Sequence, residues 1–170
     1  MKNKWVDRNF DFGFDYSHYP EFIERLMATP SILESIITPI PGDFLKIKEN
    51  DKWSIQENVG HLITADDLFV GRLDDYESGT KSLRPADVSG TRTNDENYNS
   101  DKIQDLLSIF REKRMEYIQR LEKADSELFK KSAWHPRLKK QMRLCDMLYF
   151  QAEHDDHHLN KMKYLHQSFF

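Results

Sequence analysis

Two histidines four residues apart, His154 and His158, are the first side chains in this 170-residue sequence whose type and spacing suggest chemistry. On a helix, residues i and i+4 stack on one face one turn apart, so two imidazoles reach a common metal ion. Seven histidines in a chain of this length produce roughly 0.3 such pairs by chance, so spacing alone decides little. Position decides more. Both residues fall in the apolar stripe of Leu144, Met147, Gln151, Met162 and Leu165, where an unpartnered imidazole costs about 1 to 3 kcal/mol. A third ligand then has to come from another helix at the same height, and His61 meets that condition, on a face with Asn58, Ala65, Leu68, Phe69, Arg72 and Tyr76. The alternative for His61 is a core hydrogen bond to a carbonyl or a neighbouring side chain. Three neutral imidazoles leave a coordination position open for water, thiol or substrate. Zinc, nickel and iron all suit that donor set.

The other polar residues near this pattern take lesser parts. His157 projects about 100° from His158 and reads as a flank rather than a ligand. Asn58 and Gln151 share the histidine faces and are candidates to orient the rings. Arg72, Tyr76 and Arg114 occupy seam-facing positions, where they bind an acidic substrate or complete structural ion pairs. Glu153, Asp155 and Asp156 are near enough to be considered as a general base, and none is singled out. His18 and His166 at helix ends, and His135 in a loop, are expected to be solvated.

Four helices must carry these residues. The first runs from Tyr19 to about Ile40, with Phe22, Leu26, Leu33, Ile36, Ile37 and Ile40 on one side and a kink or restart expected at Thr29-Pro30. The second opens on the capping box Ser54-Ile55-Gln56-Glu57 and ends near Ser78-Gly79. The third spans about Asn99 to Lys123, with Ile103, Leu106, Leu107, Phe110, Tyr117 and Leu121 in register, and the fourth about Met142 to His166. No strand alternation stands out, so the class is all-α. Antiparallel neighbours need only 2 to 8 connecting residues, whereas about 20 separate the second and third helices, enough to cross the whole bundle. An up-down-down-up four-helix bundle follows, with long connections between helices 2 and 3 and between helices 3 and 4. The stretch from Ala124 to Gln141, containing Trp134-His135-Pro136, is expected to lie over one end as a lid.

Composition narrows the partners. The length suits a single domain over residues 1–170. A formal net charge of −4 with mixed signs gives no basic field for nucleic acid or an anionic membrane. No run is long and apolar enough to span a bilayer, and MKNKWVDRNFDFGFDY lacks a signal peptide's apolar stretch, so the chain is read as cytoplasmic. The lone Cys145 fits a reducing compartment and leaves any metal to histidines and carboxylates.

The blocks WSIQENVGHLITADDLFVGRL (Trp53 to Leu73) and MRLCDMLYFQAEHDDHHLNKMKYL (Met142 to Leu165), together with their separation, the seam Arg114 and the Trp134-His135-Pro136 loop, resemble the DinB-like (YfiT-like) superfamily of metal-dependent enzymes. The resemblance covers nearly the whole chain. It implies an up-down-down-up bundle, a divalent metal on His61, His154 and His158, and frequent homodimerisation, for which Tyr149 offers an apolar residue outside the main seams. It also implies a link to low-molecular-weight thiols and small electrophilic substrates, since relatives include thiol S-transferases. Two departures stand out. Arg143 replaces the usual small hydroxyl residue that starts the last helix, and no thiol-recognition motif can be matched. The family name refers to induction by DNA damage and implies no DNA binding.

The first reaction to expect is therefore thiol transfer to a small electrophile. The alternatives are metal-dependent hydrolysis at the same open site, a noncatalytic bundle stapled by its metal, and a small-ligand-binding protein.

Overall fold

In the computed structural model of the protein, which describes residues 5–50, 52–87 and 89–169, four long helices form the body of the molecule. They are α1 (Tyr19–Ile37), α2 (Ile55–Ser78), α3 (Ile103–Lys123) and α4 (Leu144–Phe169). The first four residues of the N-terminal stretch discussed above lie outside the described residues. Among the described residues no helix is long and apolar enough to cross a membrane.

Pairs across the helices give their directions. Asp66 and Asp74 of α2 meet Arg114 and Arg120 of α3 in rising order, so α2 and α3 run parallel. Asn58 and Asp66 of α2 meet His158 and Gln151 of α4 in falling order, so these two run antiparallel. Phe22 and Thr29 of α1 meet Tyr149 and Asp155 of α4 in rising order. Leu26 and Glu34 meet Arg114 and Arg111 in falling order. The order is up-down-down-up.

The expected start of α2 is present in full. Ser54 Oγ accepts from the Glu57 amide at 3.1 Å while a Glu57 carboxylate oxygen accepts from the Ser54 amide at 2.8 Å. The helix ends where Gly79, at φ 72°, turns left-handed, a conformation in which a Cβ would be strained. At the start of α4, Arg143 leaves no hydroxyl to cap. Asp146 instead accepts from the Arg143 amide at 2.8 Å, the half of a capping box that needs no hydroxyl.

Several expectations give way. Helix α1 does not restart at Thr29 but runs through Pro30. The amide that Pro30 lacks would have bonded the Leu26 carbonyl, and Arg114 Nη1 donates to that carbonyl instead at 2.9 Å. Helix α3 begins at Ile103, preceded by a 3-10 turn at Tyr98–Ser100. The stretch expected as a helical-end lid contains an antiparallel hairpin, β1 (Ser132–His135) with β2 (Lys140–Arg143), so Met142 belongs to a strand rather than to α4. Leu83 and Trp134 tie that hairpin to the start of the α2–α3 connection through backbone bonds of 2.8 and 2.9 Å.

The core is in two parts. One apolar cluster holds Leu26, Phe69, Ile118 and Phe150, the other Leu33, Leu62, Phe110 and Met162. Each helix passes from one cluster to the other through a polar position: Thr29, Asp66, Arg114 and Asp155, all buried. Arg114 joins this layer with 2.7 Å contacts to Asp66 and Asp155.

Candidate metal centre

The three histidines occupy the same level as this polar layer, on the α2–α4 side. His61, His154 and His158 each present one ring nitrogen, and these atoms lie within 4.8 Å of one another. His61 Nε2 and His154 Nε2 are 3.2 Å apart. Two nitrogens bound to one tetrahedral ion at 2.0 to 2.1 Å stand about 3.4 Å apart, so the spacing suits a shared ion. His154 and His158 are buried and His61 is half-buried.

Two of the rings are held from behind. Asn58 donates through Nδ2 to the Ser54 carbonyl at 2.7 Å, which turns Oδ1 toward His158 Nδ1 at 2.9 Å. That oxygen can only accept, so His158 carries its proton on Nδ1 and a lone pair on Nε2. Thr93 Oγ1 meets His61 Nδ1 at 3.1 Å. Thr93 reaches this position from the single helical turn Thr91–Asp95, and the same connection is held down by Tyr98, whose ring lies on α2 where Gly60 has no side chain. A Cβ at Gly60 would meet that ring at 2.1 Å. Among the described residues His154 Nδ1 is buried without a hydrogen bond, with Asp155 Oδ1 at 3.9 Å as its electrostatic neighbour.

Burial, and then the neighbouring His154, pull His61 down to about 3 and hold His158 well below its ordinary range. Both are neutral at neutral pH, the form that binds a metal. Burial works against ionisation of Asp155, but the Arg114 guanidinium outweighs it and keeps the carboxyl below its usual range. Three converging imidazole nitrogens, two of them on neutral rings oriented from behind, therefore fit a divalent ion.

A cavity of about 840 Å³ opens in front of the three nitrogens. Trp53 flanks His61, with ring centres 4.6 Å apart, and Trp5 meets His154 edge-on at 5.3 Å. His157 also lines the cavity but lies outside the converging set.

The remaining sequence candidates are distributed differently. Asn58 orients His158 as expected, whereas Gln151 serves Asp66 at 3.2 Å. Arg114 is in the buried ion network, and the Tyr76 hydroxyl donates to the Met142 carbonyl at 2.8 Å. Glu153 pairs with Arg8 and Arg25, and Asp156 with Arg25. His18 is exposed beside Glu21 and His166 is half-buried. His135, expected in a solvated loop, is buried on β1 and faces the cavity, because strand alternation turns it inward while Trp134 turns out. Tyr149 is half-buried against the rings of Phe12, Phe14 and Phe22. Sequence reasoning missed Thr93 and both flanking tryptophans. Thr93 and Trp5 lie in segments without a periodicity that could place them, and Trp53 stands just before the Ser54 cap, outside the helical stripe.

No curated protein matches this sequence. Among solved structures the chain superposes on one described as "YfiT from Bacillus subtilis is a probable metal-dependent hydrolase with an unusual four-helix bundle topology". The TM-score is 0.81 at 17% identity, covering 95% of this chain and 93% of that one. The two share a fold. Residues 25–162 match the family model of the DinB superfamily, a span that includes all four helices' contributions to the polar layer and all three histidines, and the chain belongs to that superfamily.

Proposed function

We propose that the protein is a divalent-metal-dependent hydrolase acting on a small molecule held in the cavity, with His61, His154 and His158 as the ligands. The observation that carries this reading is the convergence of three imidazole nitrogens on the wall of an 840 Å³ cavity. The likeness to YfiT, described as a probable metal-dependent hydrolase, supports the same reaction class. When bound, a divalent ion on three neutral imidazoles supplies an electrophilic centre with a free coordination position, able to activate a water or thiol at neutral pH. Asn58 and Thr93 hold His158 and His61 in place for this. Trp5 and Trp53 line the cavity against the His154 and His61 rings. Glu153, Asp155 and Asp156 are committed to arginines and do not serve as the base.

Thiol transfer to a small electrophile is the finer reading of the same open position. The thiol would come from solution, because Cys145 is fully buried and burial pushes its own thiol up to about 12. A homodimer belongs to the same proposal and is decided by sedimentation.

One experiment tests the function. Protein stripped of metal is reloaded separately with zinc, nickel or iron and offered esters, amides and phosphoesters in one panel, and a thiol with an electrophile in another. Metal-dependent turnover in the first panel is the expected result. Turnover in the second alone transfers the reading to thiol chemistry, and turnover without metal overturns both.

A further inference from the structure

Two buried arginines sit in this bundle in opposite circumstances. Arg114 lies between two carboxylates. Arg72 is only 1% exposed yet has no carboxylate within ion-pair distance among the described residues. Its Nε donates to the Arg84 carbonyl at 3.2 Å, Nη1 rests 3.8 Å from Met147 Sδ, and Nη2 has no hydrogen-bond partner among the described residues. Asp75, three residues on, is taken through both oxygens by Arg84. Burial lowers Arg72 to about 10, which still leaves it charged at neutral pH.

His135 stands beside it. Its Nδ1 accepts the Leu138 amide at 3.2 Å, which places the ring proton on Nε2, and Nε2 is buried with no acceptor among the described residues. Burial, then the charges of Arg72 and Arg137, hold His135 neutral. Arg72, His135 and Arg137 all line the same cavity as the three histidines. Arg137 donates to the Val6 carbonyl at 3.3 Å, whereas Arg92 and Lys161, also on the cavity wall, have carboxylate partners. Two unsatisfied donors and an uncompensated positive charge call for an acceptor that is negative. Water would satisfy the donors and leave the charge.

Arg72 lies eleven residues beyond His61, three turns along one face of α2, roughly 16 Å by helical rise. Its side chain leans toward the helix N-terminus, hence back toward the histidines. We propose that the Arg72 guanidinium and the His135 Nε2–H, with Arg137 at the edge, form an anion subsite that takes the carboxylate or phosphate end of an elongated substrate whose reacting group lies at the three histidines. The subsite's link to a reacting group rests on the hydrolase reading, whereas anion binding itself needs no metal.

Thermal unfolding of metal-free protein at constant ionic strength, with inorganic phosphate or glutarate as probe, tests this. Above the dissociation constant each tenfold rise in probe raises the Tm by about 3 to 5 °C, and the probe with the larger shift names the acid. Arg72→Met abolishes the shift and raises the probe-free Tm by about 2 °C or more, because it removes a buried charge that nothing in the chain compensates. His135→Gln and Arg137→Ala weaken the shift at unchanged helicity, and they provide the answer should Arg72→Met not fold. Absence of a shift in the parent protein, or its full retention in these variants, overturns the proposal. Phosphate binding without metal-dependent turnover keeps the anion subsite and removes the hydrolase. Turnover with equal kcat/KM for acidic and neutral esters, and no probe shift, does the reverse.

Discussion

Arg114→Met should be among the most damaging substitutions in the protein, and the structure says by how much. The guanidinium is fully buried and makes four hydrogen bonds: two to Asp66 at 2.7 and 3.0 Å, one to Asp155 at 2.7 Å and one to the Leu26 carbonyl at 2.9 Å. Methionine fills much of the volume and removes every donor. Two buried carboxylates then lose their cation, and Gln151 and Thr29, at 3.2 Å each, cannot replace it. The Leu26 carbonyl, already without the amide that Pro30 lacks, is left bare as well. Breaking a buried ion pair by removing one partner costs about 3 to 5 kcal/mol, which for a domain of this size lowers the Tm by roughly 6 to 20 °C. Replacing all three members together, with Asp66→Leu and Asp155→Leu added, should recover most of the loss, since a packed apolar triad has no charge to strand. Calorimetry on metal-free protein reads both values. A single variant within about 1 kcal/mol of the parent would refute the reasoning, as would a triple variant no more stable than the single one.

Three further outcomes are expected. His158→Ala should lose metal by elemental analysis while circular dichroism shows unchanged helicity, because Met147, Met162 and Leu165 still pack α4; a variant that unfolds as the metal leaves would favour a structural staple. Asn58→Ala, which frees the His158 ring, should weaken metal binding about 10- to 100-fold in a chelator competition, and unchanged affinity would remove its orienting role. In metal-free protein, stability should fall on acidification from about pH 6.5 toward 3: His61 and His135 are both held near 3 when folded, so the unfolded chain binds more protons across that window and stability rises with pH. Each group contributes at most about 1.4 kcal/mol per pH unit across that window; a His135→Gln variant with an undiminished slope would exclude its share.

The four helices were legible because each carries a long apolar stripe, and the capping box at Ser54 marked one boundary to the residue. The polar layer was partly legible, since Arg114 and Gln151 interrupt those stripes at core positions. The hairpin was not. Its strands are four residues long, too short for alternation to stand out, and half of their residues are exposed. The restart at Thr29-Pro30 did not follow because the rule for proline is local, while the donor that satisfies the Leu26 carbonyl comes from a residue 88 positions away from it. For the same reason Thr93 could not be foreseen, as nothing near it in sequence says which ring it will meet.

The order in which the helices pack governs how the protein can be made. Consecutive α1 and α2 stand at opposite corners of the bundle, and α1 finds its neighbours in α3 and α4. A nascent chain that has released only α1 and α2 thus has no native helix pair with which to begin burying its core. The histidines follow the same timetable, His61 emerging 93 residues before His154. An ion met early would find one imidazole of the three, so capture of a metal there would wait for α4 to dock, and the fold would reach near-completion without help from it. Folding dominated by such distant pairings is slow for a helical protein, which makes the interval before α4 docks the time when this chain most needs protection from aggregation.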